Sequence, residues 1–187
     1  MTGRTDSTAN APTSAPTSPV RVRSRDDLRL QRRRHEHGCW DHLVVAPLWP
    51  LHGVNLGTLL RTCDAVGACM AVPRLPWVPE ALARGNTLRR PACVHWTGNV
   101  TRWLEKQRAG GSTVLGVELA DEAVRLGDLP AARRRTVVVL GHEQTGIPPE
   151  ALGLLDQVVE IPMMGTGASL NVAVAGSLVL YRLAGLL

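Results

Sequence analysis

From about residue 41 onward the sequence alternates short apolar runs with amphipathic stretches, and this alternation limits the folds available to the chain. The apolar runs predict six strands, at 42–46, 68–72, 92–96, 112–117, 136–140 and 157–161. Helix candidates follow at 54–66, 80–85, 98–109, 148–155 and 169–186. Several predicted strands are apolar throughout, which is typical of parallel strands covered on both faces. The pattern therefore predicts an α/β fold with a mostly parallel sheet flanked by helices.

The first 37 residues differ from the rest of the chain in composition and charge. Residues 1–19 are rich in Thr, Ser, Ala and Pro with almost no large apolar side chains, so we expect them to be disordered. Residues 1–37 carry eight arginines against four acidic residues, whereas residues 38–187 carry thirteen basic and twelve acidic side chains. We therefore predict a basic arm, 1–37, before a nearly neutral domain, 38–187. Such an arm suits contact with a polyanion, and a solvated arginine-rich tail is the alternative.

Composition argues against several classes of protein. No apolar run reaches the roughly 18 residues of a membrane span, and no secretory signal is present, so we expect a cytoplasmic protein without membrane contact. The chain has four cysteines, Cys39, Cys63, Cys69 and Cys93. They form no CxxC pair, which argues against a disulfide scaffold or a zinc ribbon. His35, His37 and Cys39 have ligand-like spacing but no second cluster, so we expect no metal site.

Ligands bind to open parallel sheets in the loops at the carboxyl ends of the strands, so these loops hold the first candidate residues. The first loop leads into a helix candidate that contains Asn55, Gly57 and Arg61. Asn55 is a candidate cap for this helix, and Gly57 permits close backbone approach. Arg61 lies six positions after Asn55, and we expect the two on the same broad side of the helix. An ion pair with Asp64 is the purely structural explanation for Arg61.

The second candidate loop, residues 141–146, follows the most apolar strand. Its bounding glycines, Gly141 and Gly146, permit a positive φ or a close approach to a ligand, and Glu143 lies between them. This loop matches neither the G-x-G-x-x-G fingerprint nor the G-x-x-x-x-G-K-[ST] phosphate loop. We therefore disfavour a dinucleotide site or a P-loop nucleotide site here.

The third candidate loop joins the last predicted strand to the last predicted helix. Ser169 is an acceptable N-cap for that helix, and Asn171 falls in its first turn. Together the three loops predict a composite pocket built from backbone amides and a few polar side chains.

These three loops, taken in order, resemble the motifs of the SpoU/TrmH family of the SPOUT superfamily, which are RNA ribose 2′-O-methyltransferases. The motifs read Asn55-x-Gly57-x-x-x-Arg61, then Leu140-Gly141-His142-Glu143-Gln144-Thr145-Gly146, then Ile161-Pro162-Met163 followed by Ser169-Leu170-Asn171-Val172. The resemblance extends over about residues 41–184. It is closest to the TrmH branch, whose members methylate a guanosine ribose in tRNA.

The resemblance implies an α/β domain with a C-terminal trefoil knot, used as a homodimer, with S-adenosylmethionine as cofactor. The implied cofactor-binding positions are Val117, Gly141, Gly146, Ile161, Met163 and Leu170. The implied catalytic and substrate-side positions are Asn55, Arg61, Glu143, Ser169 and Asn171. The family mechanism usually makes the motif-one arginine a general base. Because a guanidinium stays protonated in proteins, we favour a role for Arg61 as a phosphate clamp and oxyanion stabiliser.

The substrate that the resemblance implies first is a tRNA guanosine, with methyl transfer to its ribose. An rRNA 2′-O-methyltransferase is the alternative with the same chemistry, including one that gives resistance to a ribosome-directed antibiotic. A non-catalytic RNA-binding module of the same fold and a generic nucleotide-binding α/β protein are further alternatives. We expect the basic arm to contribute to RNA binding, so that deletion of residues 1–37 weakens RNA binding but leaves cofactor affinity unchanged.

Overall fold

The computed structural model describes residue 24 and residues 43–86, 93–167 and 169–187. Contacts divide the chain into two units, Met1–Glu36 and His37–Leu187, and all described residues except Ser24 belong to the second. The predicted basic arm, apart from Ser24, lies outside the described residues, as do His35, His37 and Cys39.

Seven strands of the described residues form one sheet. They are β1 (Leu43–Pro47), β2 (Cys69–Pro73), β3 (Val94–Thr97), β4 (Thr113–Val117), β5 (Val124–Arg125), β6 (Thr136–Leu140) and β7 (Gln157–Glu160). All six predicted strands are confirmed, with small shifts at their ends. β5 was not predicted, because two residues are too few to produce a periodic pattern.

Five α-helices are described, each overlapping a predicted one. They are α1 (Gly53–Val66), α2 (Val78–Gly85), α3 (Val100–Ala109), α4 (Pro149–Leu152) and α5 (Val172–Leu183), and Leu126–Asp128 form a 3₁₀ turn. The last helix begins later than predicted because Asn171 is its N-cap: the side-chain oxygen of Asn171 accepts hydrogen bonds from the backbone N–H groups of Ala173 and Val174. The expectation that Ser169 caps this helix is therefore wrong.

The strand order is β3-β2-β1-β6-β4-β7-β5, and every described pair is parallel. This confirms the predicted fold class. Because the strands are parallel, their carboxyl ends meet at one edge of the sheet, and the loops that leave them are neighbours in space. The trefoil knot that the resemblance implies stays a prediction. No helix within the described ranges is long and apolar enough to cross a membrane.

Apolar side chains cover both faces of the sheet. All residues of β1, β2 and β6 are buried, as expected of central parallel strands. One face packs against Leu56 and Leu60 of α1 and Leu180 of α5, and the other packs against Leu104 of α3 and Ala151 of α4. Burial of these two layers supplies the main driving force for folding and fixes the helices from which the site is built.

Helices α1 and α2 lie unusually close together at a pair of glycines. A Cβ atom added to Gly57 would lie 2.7 Å from the Cα atom of Gly85, too close for any side chain. The predicted close backbone approach at Gly57 is therefore confirmed, and the neighbour is the backbone of α2.

Candidate functional site

A cavity of about 580 Å³ lies at the carboxyl ends of β4, β6 and β7. This volume is within the range of small-molecule and cofactor sites. All six predicted cofactor positions line it: Val117, Gly141, Gly146, Ile161, Met163 and Leu170. Glu143 and Ser169 line it as well. The fold thus brings residues of the second and third motifs to one cavity.

The loop after β6 closes on itself through its backbone. The N–H of His142 donates to the carbonyl of Gly146, and the N–H of Gly146 donates to the carbonyl of His142, each at 2.9 Å. Gly146 has a φ of 72°, in the left-handed region that favours glycine. A Cβ atom on Gly141 would lie 2.6 Å from the carbonyl oxygen of Gly146. The expected positive φ is confirmed at Gly146, whereas Gly141 closely approaches the backbone of Gly146 and Ile147, so the loop forms a tight cradle along the cavity.

Glu118 supports this cradle from the end of β4. A carboxylate oxygen of Glu118 accepts a hydrogen bond from the backbone N–H of Ile147 at 3.0 Å, and Glu118 itself lines the cavity. Sequence reasoning missed this residue. Its signal was an acidic side chain directly after a buried strand, at the edge of the sheet where ligands bind.

Glu143 ties the loop after β6 to the segment before α1. Its carboxylate accepts hydrogen bonds from the backbone N–H groups of Leu51 at 2.8 Å and His52 at 3.1 Å, and from the side-chain amide of Asn55 at 2.9 Å. Partial burial raises the pKa of Glu143. The hydrogen bonds from Asn55 and from backbone N–H groups together lower it by a larger amount, so the pKa lies below its ordinary value. Glu143 is therefore a carboxylate at neutral pH.

Asn55 continues this network to the start of α5. The side-chain amide of Asn171 donates to the side-chain oxygen of Asn55 at 3.0 Å, while the oxygen of Asn171 caps α5. Asn55 is only 5% exposed, so both its oxygen and its nitrogen require partners. It lies inside α1, whose N-cap is His52 without a side-chain hydrogen bond. The expectation that Asn55 caps α1 is therefore wrong, and its role in the fold is to connect Glu143 with Asn171.

Arg61 lies away from this network. Its side chain is exposed and lines a groove of about 620 Å³ between α1 and α2, together with residues such as Trp77 and Arg84. Six residues advance an α-helix by about one and two-thirds turns, which puts Arg61 and Asn55 on different sides of α1. The expectation that they share a side is wrong. Among the described residues Arg61 has no ion-pair partner, so the predicted alternative of a pair with Asp64 does not form.

Two further groups of chemically reactive or charged residues lie outside the cavity. Arg133, Arg134 and Arg135 precede β6, at the edge of the sheet opposite to the cavity. Cys69 of β2, Cys93 just before β3 and His95 of β3 place their sulfur and nitrogen atoms within 4.8 Å of one another. Sequence reasoning missed this second group because its members lie on different strands.

Comparison with protein families gives a match over most of the described chain. The model of the SpoU rRNA Methylase family matches residues 43–181. The tRNA (guanosine(18)-2′-O)-methyltransferase of Escherichia coli strain K12 is 36% identical over 133 residues, covering 68% of this chain and 56% of that protein. The chain thus spans little more than half the length of this relative.

Solved structures of the same kind share the fold. The TrmH/SpoU tRNA modifying enzyme of A. aeolicus has a TM-score of 0.67 at 26% identity, covering 86% of this chain and 83% of that one. An AdoMet-bound rRNA methyltransferase from Sinorhizobium meliloti has a TM-score of 0.66 at 27% identity, covering 79% of this chain and 57% of that one. With a family model that matches residues 43–181, this chain belongs to the SpoU methylase family.

Proposed function

We propose that this protein transfers a methyl group from S-adenosylmethionine to the ribose 2′-oxygen of an RNA. The observation that carries the proposal is the cavity at the carboxyl ends of β4, β6 and β7, because all six cofactor positions implied by the resemblance line it. Relatives named as RNA 2′-O-methyltransferases support the reaction type, and a structural neighbour with AdoMet bound supports the cofactor.

The residues of the cavity suit S-adenosylmethionine. The cradle of Gly141 and Gly146 has no room for side chains and offers backbone groups to a ligand, while Ile161, Met163 and Leu170 provide apolar contacts. Hydrogen-bonding backbone and a mostly apolar wall are typical of cofactor sites. When bound, S-adenosylmethionine supplies an electrophilic methyl group on a positively charged sulfur.

The protein contributes position and charge to such a reaction. Glu143, Asn55 and Asn171 hold three loops in fixed relation, so that a bound methyl donor and a ribose meet in one geometry. Arg61 stays protonated and exposed, which suits it to bind an RNA phosphate. It does not line the cavity of its own chain, so the expected contact with the attacking oxygen has no support in the geometry of a single chain. Ser169 lines the cavity with an exposed hydroxyl, which suits it to contact substrate, and Thr145 is a second exposed hydroxyl of the lining.

The substrate that we propose is a guanosine of tRNA, in the cytoplasm. The E. coli relative carries tRNA guanosine methylation in its name, and the A. aeolicus neighbour is described as a tRNA modifying enzyme. An rRNA ribose is the second candidate, favoured by the name of the family model and by the S. meliloti neighbour.

The test is transfer of labelled methyl from S-adenosylmethionine to total tRNA and, in separate reactions, to ribosomal RNA, followed by mapping of the modified nucleotide. We expect incorporation into tRNA at the 2′-oxygen of a guanosine. Incorporation into rRNA alone would show that the substrate is rRNA rather than tRNA, and would leave the proposed reaction type unchanged. Methylation of a base, or calorimetry that shows no binding of S-adenosylmethionine, would overturn the proposal itself.

We also propose that the protein works as a homodimer through the face formed by α1 and α5. These helices are joined by a hydrogen bond of 2.7 Å between the hydroxyls of Thr62 and Ser177, and α5 leaves Val174, three residues before Ser177, exposed at 46%. The resemblance implies a homodimer, and this exposed apolar side chain beside the contact of the two helices is the position to test. Val174→Glu should convert a dimer to a monomer in light scattering, whereas Val174→Thr should not. A wild-type monomer at micromolar concentration would contradict this proposal.

A further inference from the structure

The cysteines and the histidine of β2 and β3 form a cluster at the end of the sheet opposite to the cavity. The two strands are parallel, and Met70 lies opposite Val94, so Cys69 and Cys93 are neighbours one position earlier. His95 follows Cys93 by two residues and therefore points to the same face of β3. The register of the strands, rather than their spacing in sequence, brings the three side chains together.

The donor atoms are close enough to share one ion. The sulfur of Cys69 lies 2.7 Å from that of Cys93, which lies 3.5 Å from Nε2 of His95. In a tetrahedral zinc site the Zn–S and Zn–N bonds are about 2.3 and 2.0 Å, which puts a sulfur and a nitrogen ligand roughly 3.6 Å apart and two sulfurs roughly 3.8 Å apart. The Cys93–His95 distance already matches, and the two sulfurs need to separate by about 1 Å.

We propose that Cys69, Cys93 and His95 bind a thiophilic metal ion of the Zn²⁺ type. Two thiolates and one imidazole are a donor set that selects such ions over Mg²⁺ or Ca²⁺. Cys69 is fully buried, whereas Cys93 and His95 are partly exposed. An ion could therefore reach the site from solvent through Cys93 and His95 and be held on its inner side by Cys69.

The ion would serve the fold rather than the methyl-transfer chemistry. Cys69 opens β2 and Cys93 precedes β3, so both lie at the amino ends of their strands, away from the cavity at the carboxyl ends. β3 is the outermost strand of the sheet and pairs only with β2 among the described strands. A bound ion would link this edge strand to the interior of the sheet.

Cys63 provides a matched control. Its side chain packs on the opposite face of the sheet from Cys69, in the layer beneath α1 and α5. The sulfur of Cys63 donates to the backbone carbonyl of Cys69 at 3.6 Å and is not one of the three clustered donor atoms. Cys63→Ala therefore removes a thiol near the cluster without removing a proposed ligand.

The experiment is titration of the metal-free, reduced full-length protein with Zn²⁺, and with Co²⁺ as a spectroscopic probe of tetrahedral thiolate coordination. We expect one ion per chain for the wild type and for Cys63→Ala, and loss of that binding in Cys93→Ser and His95→Gln. Both test positions are partly exposed, and circular dichroism verifies that each variant is folded.

Three results would overturn the proposal. The first is the absence of stoichiometric Zn²⁺ uptake by the wild type. The second is uptake that persists in both Cys93→Ser and His95→Gln, which would put the ion elsewhere. The third is a Co²⁺ complex without thiolate absorption. A wild type that forms a Cys69–Cys93 disulfide under air and takes up no metal after reduction is an instance of the first result, and it also overturns the proposal.

Discussion

Helix α1 carries two polar residues in opposite environments. Asn55 is buried and hydrogen-bonded to Glu143 on one loop and to Asn171 on another. Arg61, on a different side of the same helix, is exposed and unpaired among the described residues. The first arrangement holds the cavity in shape before any ligand arrives, whereas the second leaves a full positive charge available to a ligand from outside. Under the proposed function, one side of α1 would support the cofactor cavity and another would contact RNA.

The largest expected effect is on the rate of methyl transfer, and it distinguishes the exposed side of α1, which carries Arg61, from the buried side, which carries Asn55. Arg61→Ala should lower methyl transfer about 100-fold, since loss of the phosphate contact would displace the ribose, and a small displacement of reacting groups commonly costs this much. Binding of S-adenosylmethionine should be unchanged, because Arg61 does not line the cavity. Single-turnover rates and calorimetry measure the two quantities.

Arg84→Ala is the matched control for this experiment. Arg84 lines the same groove and is exposed, but its guanidinium is already paired with Glu80 at 2.6 Å. We expect near wild-type turnover for Arg84→Ala. Equal losses in the two variants, or lost cofactor binding in Arg61→Ala, would remove the distinction between the sides of α1.

The next effect concerns the hydrogen-bonded side. Glu143→Gln replaces a carboxylate that accepts three N–H donors by an amide that has one oxygen and two donors of its own. We expect the free energy of unfolding at pH 7 to fall by about 1–2 kcal/mol and the affinity for S-adenosylmethionine to fall with it. Denaturant unfolding and calorimetry measure both.

The pH dependence of this loss identifies its origin. The folded-state pKa of Glu143 is lowered, so its contribution to stability is present above the ordinary pKa of glutamate and is lost as the pH falls through the folded-state value. The wild type and Glu143→Gln should therefore converge in stability in acid. A difference that stays constant from neutral pH to acid would mean that the charge of Glu143 is not the cause.

A smaller effect is expected at the end of the network. Asn171→Ala removes both the cap of α5 and the donor to Asn55, and it should cost about 1–2 kcal/mol of unfolding free energy. Asn171→Asp keeps a capping oxygen but loses the amide that donates to Asn55. If Asn171 acts through Asn55, the Asp variant should lower kcat nearly as much as the Ala variant while retaining more stability. Full activity of Asn171→Asp would limit Asn171 to capping.

The sequence alone predicted the sheet and the cavity wall well, for a physical reason. Central parallel strands are buried on both faces, so β1 and β6 appear as continuous apolar runs, and tight turns need glycine, so Gly141 and Gly146 mark the loop. Family motifs then identified the residues around them. These features depend on local sequence, which is why they could be recognised without coordinates.

What sequence could not supply are relations between distant segments. Asn55 was expected to cap α1, because nothing in its neighbourhood indicates that Glu143, 88 residues later, needs its amide. The Cys69–Cys93 pair depends on the register of β2 against β3. Glu118 contacts a loop 29 residues away. Each relation arises from packing of elements rather than from periodicity.

The smallest effect on folding is expected at Ser169. A substitution there tests whether this part of the cavity wall contacts the cofactor or the substrate. Ser169 is exposed, lines the cavity and is not the cap of α5. Ser169→Ala should leave the free energy of unfolding within about 0.5 kcal/mol of wild type, as is usual for exposed positions. If the hydroxyl contacts substrate, kcat should fall while binding of S-adenosylmethionine does not. A drop in cofactor affinity at unchanged kcat would instead assign Ser169 to the cofactor wall, together with Leu170.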